Sequence, residues 1–416
     1  MTNGEIRTSD GELLSVKLKK VESRKRTGAL ILVLPLLLFI IITYIFPIIQ
    51  MLQRSVDNTQ MNDLLNNTYQ IIQNWDGSDF PPEEVVKTFY NDLKYLSENK
   101  LHGKIAVRLN YEKGGFSSLI KKTVRKLDSF DTNGNYLQQF KEIHKRWADQ
   151  EYWLALKRAT VPYHGRKYLA SFDFKQDFDG SIVRIEEKKR INVTLWLRTI
   201  YVALGVTLCC LILAYPIAHL LSVLPTRYSN LLMICVLLPF WTSLLVRTSS
   251  WMVLLQTQGV LNDFLVFLGI VADENRLELM YNMTGTFIAM TQILLPFMVL
   301  PLYSVMKTIS PSLMRAATSM GATPFHAFRK IYFPLTYAGI SAGSILVFVL
   351  AIGYYITPAL VGGAKGTLIS NRIAYHMQST LDWSYATAMA TILLVGVLVV
   401  YYVYNRVVGI DNMRLG

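Results

Sequence analysis

Charge is scarce in this sequence. Of its 416 residues 17% are charged and 52% hydrophobic, whereas soluble domains carry roughly 25% charged residues, so a wholly soluble chain is excluded. A mean hydropathy of +0.29 is too low for a chain immersed in lipid throughout, and a sizeable polar part must accompany the spans. Cysteine is nearly absent. Cys209, Cys210 and Cys235 all lie in apolar runs, which excludes a disulfide framework and reads as small buried hydrophobes. The histidines at 102, 144, 164, 219, 326 and 376 have no Cys or His at ligand spacing, so no metal signature exists. No G-x-x-x-x-G-K-[ST] loop occurs, and the stretch Gly362 to Gly366 has the wrong spacing. The chain is therefore expected neither to hydrolyse ATP nor to bind a cofactor of its own. Asp and Glu are missing from every long apolar run, so these runs carry no carboxylate to bury. The net charge of +13 does not argue for nucleic acid, because in a membrane chain Lys and Arg chiefly mark the cytoplasmic loops.

What is present is six apolar runs. The first, ALILVLPLLLFIIITYIFPIIQML at 29–52, follows a polar tail (1–28) bearing Lys17, Lys19, Lys20, Arg24, Lys25 and Arg26. It is long enough to cross a bilayer of about 30 Å. It lacks the short core and cleavage site of a signal peptide, so an uncleaved span with a cytoplasmic N-terminus is expected. Five more runs, at 194–222, 229–256, 284–307, 335–358 and 385–407, fall within 194–407, before a tail at 408–416. Alternation puts 223–228, 308–334 and the C-terminal tail in the cytoplasm. These carry Arg227, Arg315, Arg329, Lys330 and Arg414, with Lys307 and Arg406 at span ends. The loops 257–283 and 359–384 hold Asp263, Asp273, Glu274, Glu278 and Asp382 against Arg276, Lys365 and Arg372, in keeping with the positive-inside rule.

Residues 55–193 are polar and long enough for a core of their own. VVKTFYNDLKYL, FSSLIKKTVRKL and YLQQFKEIHKRWADQEYWLALKRA have helical periodicity, and YLASFDFKQDFDGSIVRI reads as a hairpin turning at Asp179-Gly180. An extracytoplasmic α+β domain inserted between spans 1 and 2 is expected.

The loop at 308–334 has strong punctuation. Ser310-Pro311 is a helix start, Leu313, Ala317 and Met320 form a narrow apolar stripe, and Gly321 supplies a left-handed stop. Thr323-Pro324 repeats the start, and Phe325, Phe328 and Ile331 follow before Pro334. Two short helices about a glycine turn make a docking element. The plainer reading is an interfacial helix whose basic residues touch lipid head groups.

The spacing Arg315-Ala316-Ala317, Gly321, Ile331, Phe333, Pro334 resembles the signature loop of type I ABC importer permeases, with Arg315 where that family has glutamate. LLPFWTSLLVRTSSWMVLL (237–255), QGVLND, LLPFMVLPLYSVM (294–306) and GYYITPALVGGAKGTLISNRI (353–373) resemble the spermidine/putrescine-type branch, although Tyr354-Tyr355 stand where that branch often has an acid and a Phe. The resemblance implies an all-α polytopic membrane protein, with six helices of the type I permease fold. It implies docking of separate ATPase subunits, two of them, on Arg315, Ala316, Ala317, Gly321, Phe325, Phe328, Ile331 and Pro334, with ATP and Mg held by those partners. A second permease subunit, an extracytoplasmic solute-binding protein and a place in the bacterial inner membrane are implied too. The solute expected is a polyamine or related organic cation. Trp241, Trp251, Tyr354 and Tyr355 offer cation-π faces for it or serve as packing and interface anchors. Arg247, 18 residues after Ser229 and about 27 Å along a straight helix, either serves the pathway or snorkels to the outer surface. Pro296, Pro301 and Pro358 are expected to bend spans. His219, near a cytoplasmic span end, is given no proton role. The alternative reading is a membrane sensor with an extracytoplasmic ligand-binding domain. Such proteins concentrate their output in a long cytoplasmic domain, and ten residues follow Arg406.

Overall fold

The structure, a computed structural model, describes residues 14–408, apart from the side chains of 14–18, 20, 407 and 408. The rest of the two tails, Arg414 included, lies outside the described residues. The first helix, α1 (Leu14–Ile40), runs through a π turn at Ile41–Ile45 into Phe46–Arg54. The helix begins well before the expected apolar run 29–52. Arg24, Lys25 and Arg26 therefore sit on the helix, ahead of its apolar run.

Residues 55–191 fold into a domain around one aromatic core. The helix Glu83–Glu98 buries Val85, Val86, Phe89, Tyr90, Leu93 and Leu96, the 3.6-residue period of its sequence turned inward. Phe89 stacks on Phe140 at 30°, and Phe116, Trp147 and Trp153 meet this pair or each other edge-on or tilted, with Trp147 and Trp153 centroids 4.8 Å apart. Both indoles are satisfied, Trp147 Nε1 donating to Thr123 Oγ1 at 2.9 Å and Trp153 Nε1 to the Trp147 carbonyl at 3.0 Å, as buried tryptophans require. The predicted hairpin forms between Phe174–Gln176 and Ile182–Arg184, antiparallel with Lys175 opposite Val183, and Gly180 takes the left-handed turn position at φ +87°. It is the only sheet among the described residues. The domain is thus helical with one hairpin rather than an even α+β mixture. Its helices bury their apolar faces on each other, and the exposed Phe174 and Ile182 leave the hairpin outside that core.

The membrane body begins with α2 (Asn192–Val223) and continues with α3 (Met283–Thr308), α4 (Pro311–Ser319), α5 (Tyr337–Gly353) and α6 (Trp383–Val408). Among the described residues four helices, the first span, α2, α3 and α6, are long and apolar enough to cross a membrane. Two further segments pass only as bent pairs: Thr226–Trp241 with Leu244–Leu254, at 99°, and Pro324–Leu335 with Tyr337–Gly353, at 57°. The expected span 229–256 is therefore broken within its length, and 335–358 bends at its start. In the first, Pro239 lacks an N–H and Ser243 Oγ accepts from Val246 N at 3.2 Å, starting a new helix. The second breaks at Thr336, whose hydroxyl donates to the Phe333 carbonyl at 2.7 Å, and ends at Gly353 before Tyr354-Tyr355. By contrast α3 runs unbroken through Pro296 and Pro301.

Helices α2, α3 and α5 pack together as the core of the body. Gly343 lets α5 approach α3: a Cβ there would stand 2.7 Å from Met298 Sδ. Small residues serve helix contact in membranes because lipid offers no hydrophobic drive to compensate a gap. Cys210 is buried here, its thiol donating to the Thr291 carbonyl at 3.4 Å. Cys209 and Cys235 are exposed, contrary to the expectation of three buried thiols; both lie on sides of their helices turned away from this core.

Candidate functional site

At the C-terminal end of α3 the loop takes the shape its punctuation implies. Ser310 Oγ accepts from Ser312 N at 3.3 Å with Pro311 first in α4, and α4 stops before Gly321 at φ +89°. Thr323 Oγ1 accepts from His326 N at 3.3 Å and opens the helix Pro324–Ala327. The residues of the expected stripe differ in exposure. Ala317 is buried, but Leu313 is exposed and Met320 is 81% exposed. Arg315, Ala316, Gly321, Phe325 (73% exposed) and Pro334 lie on the surface, while Phe328 and Ile331 are half-buried. Met320 and Phe325 thus flank Gly321 as an apolar tip with a basic neighbour, Arg315.

Under this tip the chain leaves through a π turn, Phe328–Tyr332, that packs against the end of α2. The Tyr332 hydroxyl lies 3.0 Å from His219 Nδ1 and 3.5 Å from Ser222 Oγ, and His219 and Phe328 rings stand edge to face at 6.2 Å. Tyr215 adds an edge contact to Phe328 at 6.3 Å. His219 therefore has a partner that sequence reasoning missed. The available signal was the spacing of Tyr215, His219 and Ser222, which puts three polar groups on one face of an apolar helix.

The other candidate residues gather at the opposite end of the body. Leu244–Leu254 packs against Ile356–Val361, and Thr248 Oγ1 and Thr357 Oγ1 are 3.2 Å apart. Trp251 Nε1 donates to Gln292 Oε1 on α3 at 3.1 Å. Tyr354 and Tyr355, just before that short helix, are held by their carbonyls, which accept from Ser370 Oγ at 2.6 Å and Asn371 Nδ2 at 2.7 Å. Arg247 belongs to the same arm. The helix turns through 99° between Trp241 and Leu244, so Arg247 sits on the arm after the bend and not on one straight helix from Ser229. Its Nε is buried without a hydrogen-bond partner among the described residues. Trp241 stands apart, 75% exposed at the corner of the bend.

The inserted domain is mounted on this same end. Lys167 Nζ pairs with Asp382 at 2.7 Å, and the Tyr111 hydroxyl donates to the Thr380 carbonyl. Ser384 Oγ donates to the Ser55 carbonyl at 3.3 Å, and Tyr385 OH donates to the Ala170 carbonyl at 3.1 Å. Asp173 accepts from the N–H groups of Asn192 at 3.1 Å and Val193 at 2.9 Å, capping α2 from outside the helix. Behind the mount, Glu112 is gripped by Arg158 at 2.9 Å and Arg166 at 3.1 Å. Burial pushes its carboxyl up, but the two guanidiniums outweigh burial and hold it below the usual range. His164 lines a cavity of about 20 Å³ beside Glu112 and Lys167, room for one water. Burial first, then Arg166, depresses its imidazole to about 4.

Comparison with known proteins accounts for the membrane body. The family described as binding-protein-dependent transport system inner membrane component matches residues 207–409. The spermidine/putrescine transport system permease protein PotB of Escherichia coli K12 is 37% identical over 219 residues, 53% of this chain and 79% of that one. The inner membrane ABC transporter permease protein YdcU of the same organism is 32% identical over 234 residues, 52% of this chain and 72% of that one. A crystal structure of a bacterial ABC transporter involved in the import of the acidic polysaccharide alginate aligns at a TM-score of 0.43 with 18% identity, over 52% of this chain and 79% of that one. The family match leaves the inserted domain outside it. With this likeness, several apolar helices and a multi-pass body, the chain is a transport permease and not itself an enzyme, and it belongs to the binding-protein-dependent ABC importer permeases, in the branch of the spermidine/putrescine permeases.

Proposed function

We propose that this chain spans the inner membrane six times, each bent pair counting as one span, and forms half of a translocation pathway completed by a second permease chain. Its loop at 310–334 takes up the ATPase subunits, which hold the ATP and Mg. Both termini lie in the cytoplasm and the inserted domain outside, where a solute-binding protein delivers the substrate. The observation that carries this reading is the capped, glycine-turned loop with Arg315, Met320 and Phe325 exposed, at the opposite end of α2 from the inserted domain. A helix of 32 residues separates the two by about 48 Å, which is enough to put them on different sides of a bilayer.

The solute we propose is a polyamine or related organic cation, in line with the PotB relatives. No acidic side chain lies in the apolar runs to pair with it, so Trp251, Tyr354 and Tyr355 are the groups proposed to meet it. Each cation-π face contributes about 0.5–2 kcal/mol. The test is purification in mild detergent with co-expressed neighbours. An ATPase should copurify, be lost with Gly321→Val, and hydrolyse ATP faster when loaded binding protein and spermidine are supplied. A stable chain with no ATPase partner would favour a membrane sensor instead.

A further inference from the structure

We propose that His219 and Tyr332 form a positioning clamp that carries movement of the docking loop into α2. The inference rests on the docking reading above. The segment that leaves the loop is a π turn, Phe328–Tyr332, whose wide winding sets Phe328 and Tyr332 side by side at 5.6 Å and 22°. π turns of this kind recur where function requires an irregular helix. Both rings face α2: His219 meets Tyr332 at 5.0 Å and Phe328 at 6.2 Å, and Tyr215 closes the far side.

The polar centre of the contact is small and specific. The Tyr332 hydroxyl is 3.0 Å from His219 Nδ1. Ser222 Oγ spends its proton on the His219 carbonyl at 2.7 Å, leaving an acceptor 3.5 Å from Tyr332. The Ser222 carbonyl in turn accepts from Lys307 Nζ at 3.4 Å, at the end of α3. The phenol thus meets the end of α2, which Lys307 ties in turn to the end of α3, and its own segment runs on into the 57° bend before α5. A load on α4 and Gly321 reaches α2 through this contact. Without the hydroxyl, the π turn keeps its ring packing but can slide along α2. Packed elements with two discrete arrangements are how such coupling is carried.

The test uses the whole complex in proteoliposomes, with spermidine uptake and ATP hydrolysis measured together. Tyr332→Phe and His219→Ala should each leave the ATPase bound and lower transport per ATP by roughly 5-fold or more. The double variant should be no worse than either single. His219→Asn, whose side-chain amide reproduces Nδ1, should restore the ratio. An unchanged ratio in both single variants overturns the clamp, as does loss of the ATPase from them, which would make the contact structural. Absence of an ATPase from the wild-type preparation identifies failure of the docking reading itself, and the clamp falls with it.

Discussion

Asp173 lies in the inserted domain, yet its carboxylate supplies the cap that α2 lacks. It is buried at φ +62°, and two N–H groups at the start of α2 point at it. Asp173→Ala leaves those donors without an acceptor and removes a negative charge from a helix N-terminus, a loss of about 1–2 kcal/mol. A lower melting temperature for the purified chain is expected, with Asp173→Asn falling between variant and wild type. Acid should act nearby. His164 is neutral in the folded chain with a value of about 4 against an ordinary 6.5, so between those values the unfolded chain takes up a proton that the folded chain refuses. Glu112, held below its ordinary 4.5, adds stability above that value that disappears as pH falls through the folded one. Both therefore lower stability on acidification. Thermal melts followed by tryptophan fluorescence should fall steadily from pH 7 to 4.5, and less steeply with His164→Gln. None of these partnerships was legible in the sequence. Asp173 stands 19 residues before Asn192 and His219 113 before Tyr332, and a helical period reports only neighbours within a turn or two.

At the scale of the element, local rules were the readable ones. The caps at Ser310 and Thr323, the stop at Gly321 and the hairpin at Gly180 all form where the residue types placed them, because each device is complete within four residues. The broken spans were hidden for the opposite reason. Hydropathy sums over a window, so Pro239, Thr242 and Ser243 disappear into a run of apolar neighbours, although Ser243 is itself a cap. Glycine yields two contrasting predictions. A Cβ at Gly321 would meet nothing within 4 Å, so Gly321→Val strains only the backbone, by about 1–2 kcal/mol. The chain should still reach the membrane while the loop loses its turn, read as normal expression without a bound ATPase. Gly343→Val instead drives a side chain into Met298, and the expected outcome is loss of folded protein in detergent chromatography.

For the molecule as a whole, order along the chain was legible: span, polar domain, then a membrane body. The mount between domain and body was not, since it is assembled from Lys167, Tyr111, Ser55 and Asp382, none of which is unusual in its own stretch. The Lys167–Asp382 pair is largely removed from solvent. Lys167→Met strands a carboxylate and should cost about 3–5 kcal/mol, whereas Lys167→Met with Asp382→Leu should recover most of it. Hydrogen exchange at residues 380–386 is the measurement that separates the two.

That mount has a mechanical consequence. Ser55 follows the first span, Asn192 begins α2 and Asp382 immediately precedes α6, and one domain grips all three, through Tyr168, Asp173 and Lys167. The three helices cannot part at that end without tearing the domain's own hydrogen bonds, so any opening among them swings from there as from a fulcrum. Displacement then grows along their length toward the loop. Spin labels paired near Ser55 and Asp382 should keep one distance through the transport cycle, while labels near Val223 and Met306 should show two.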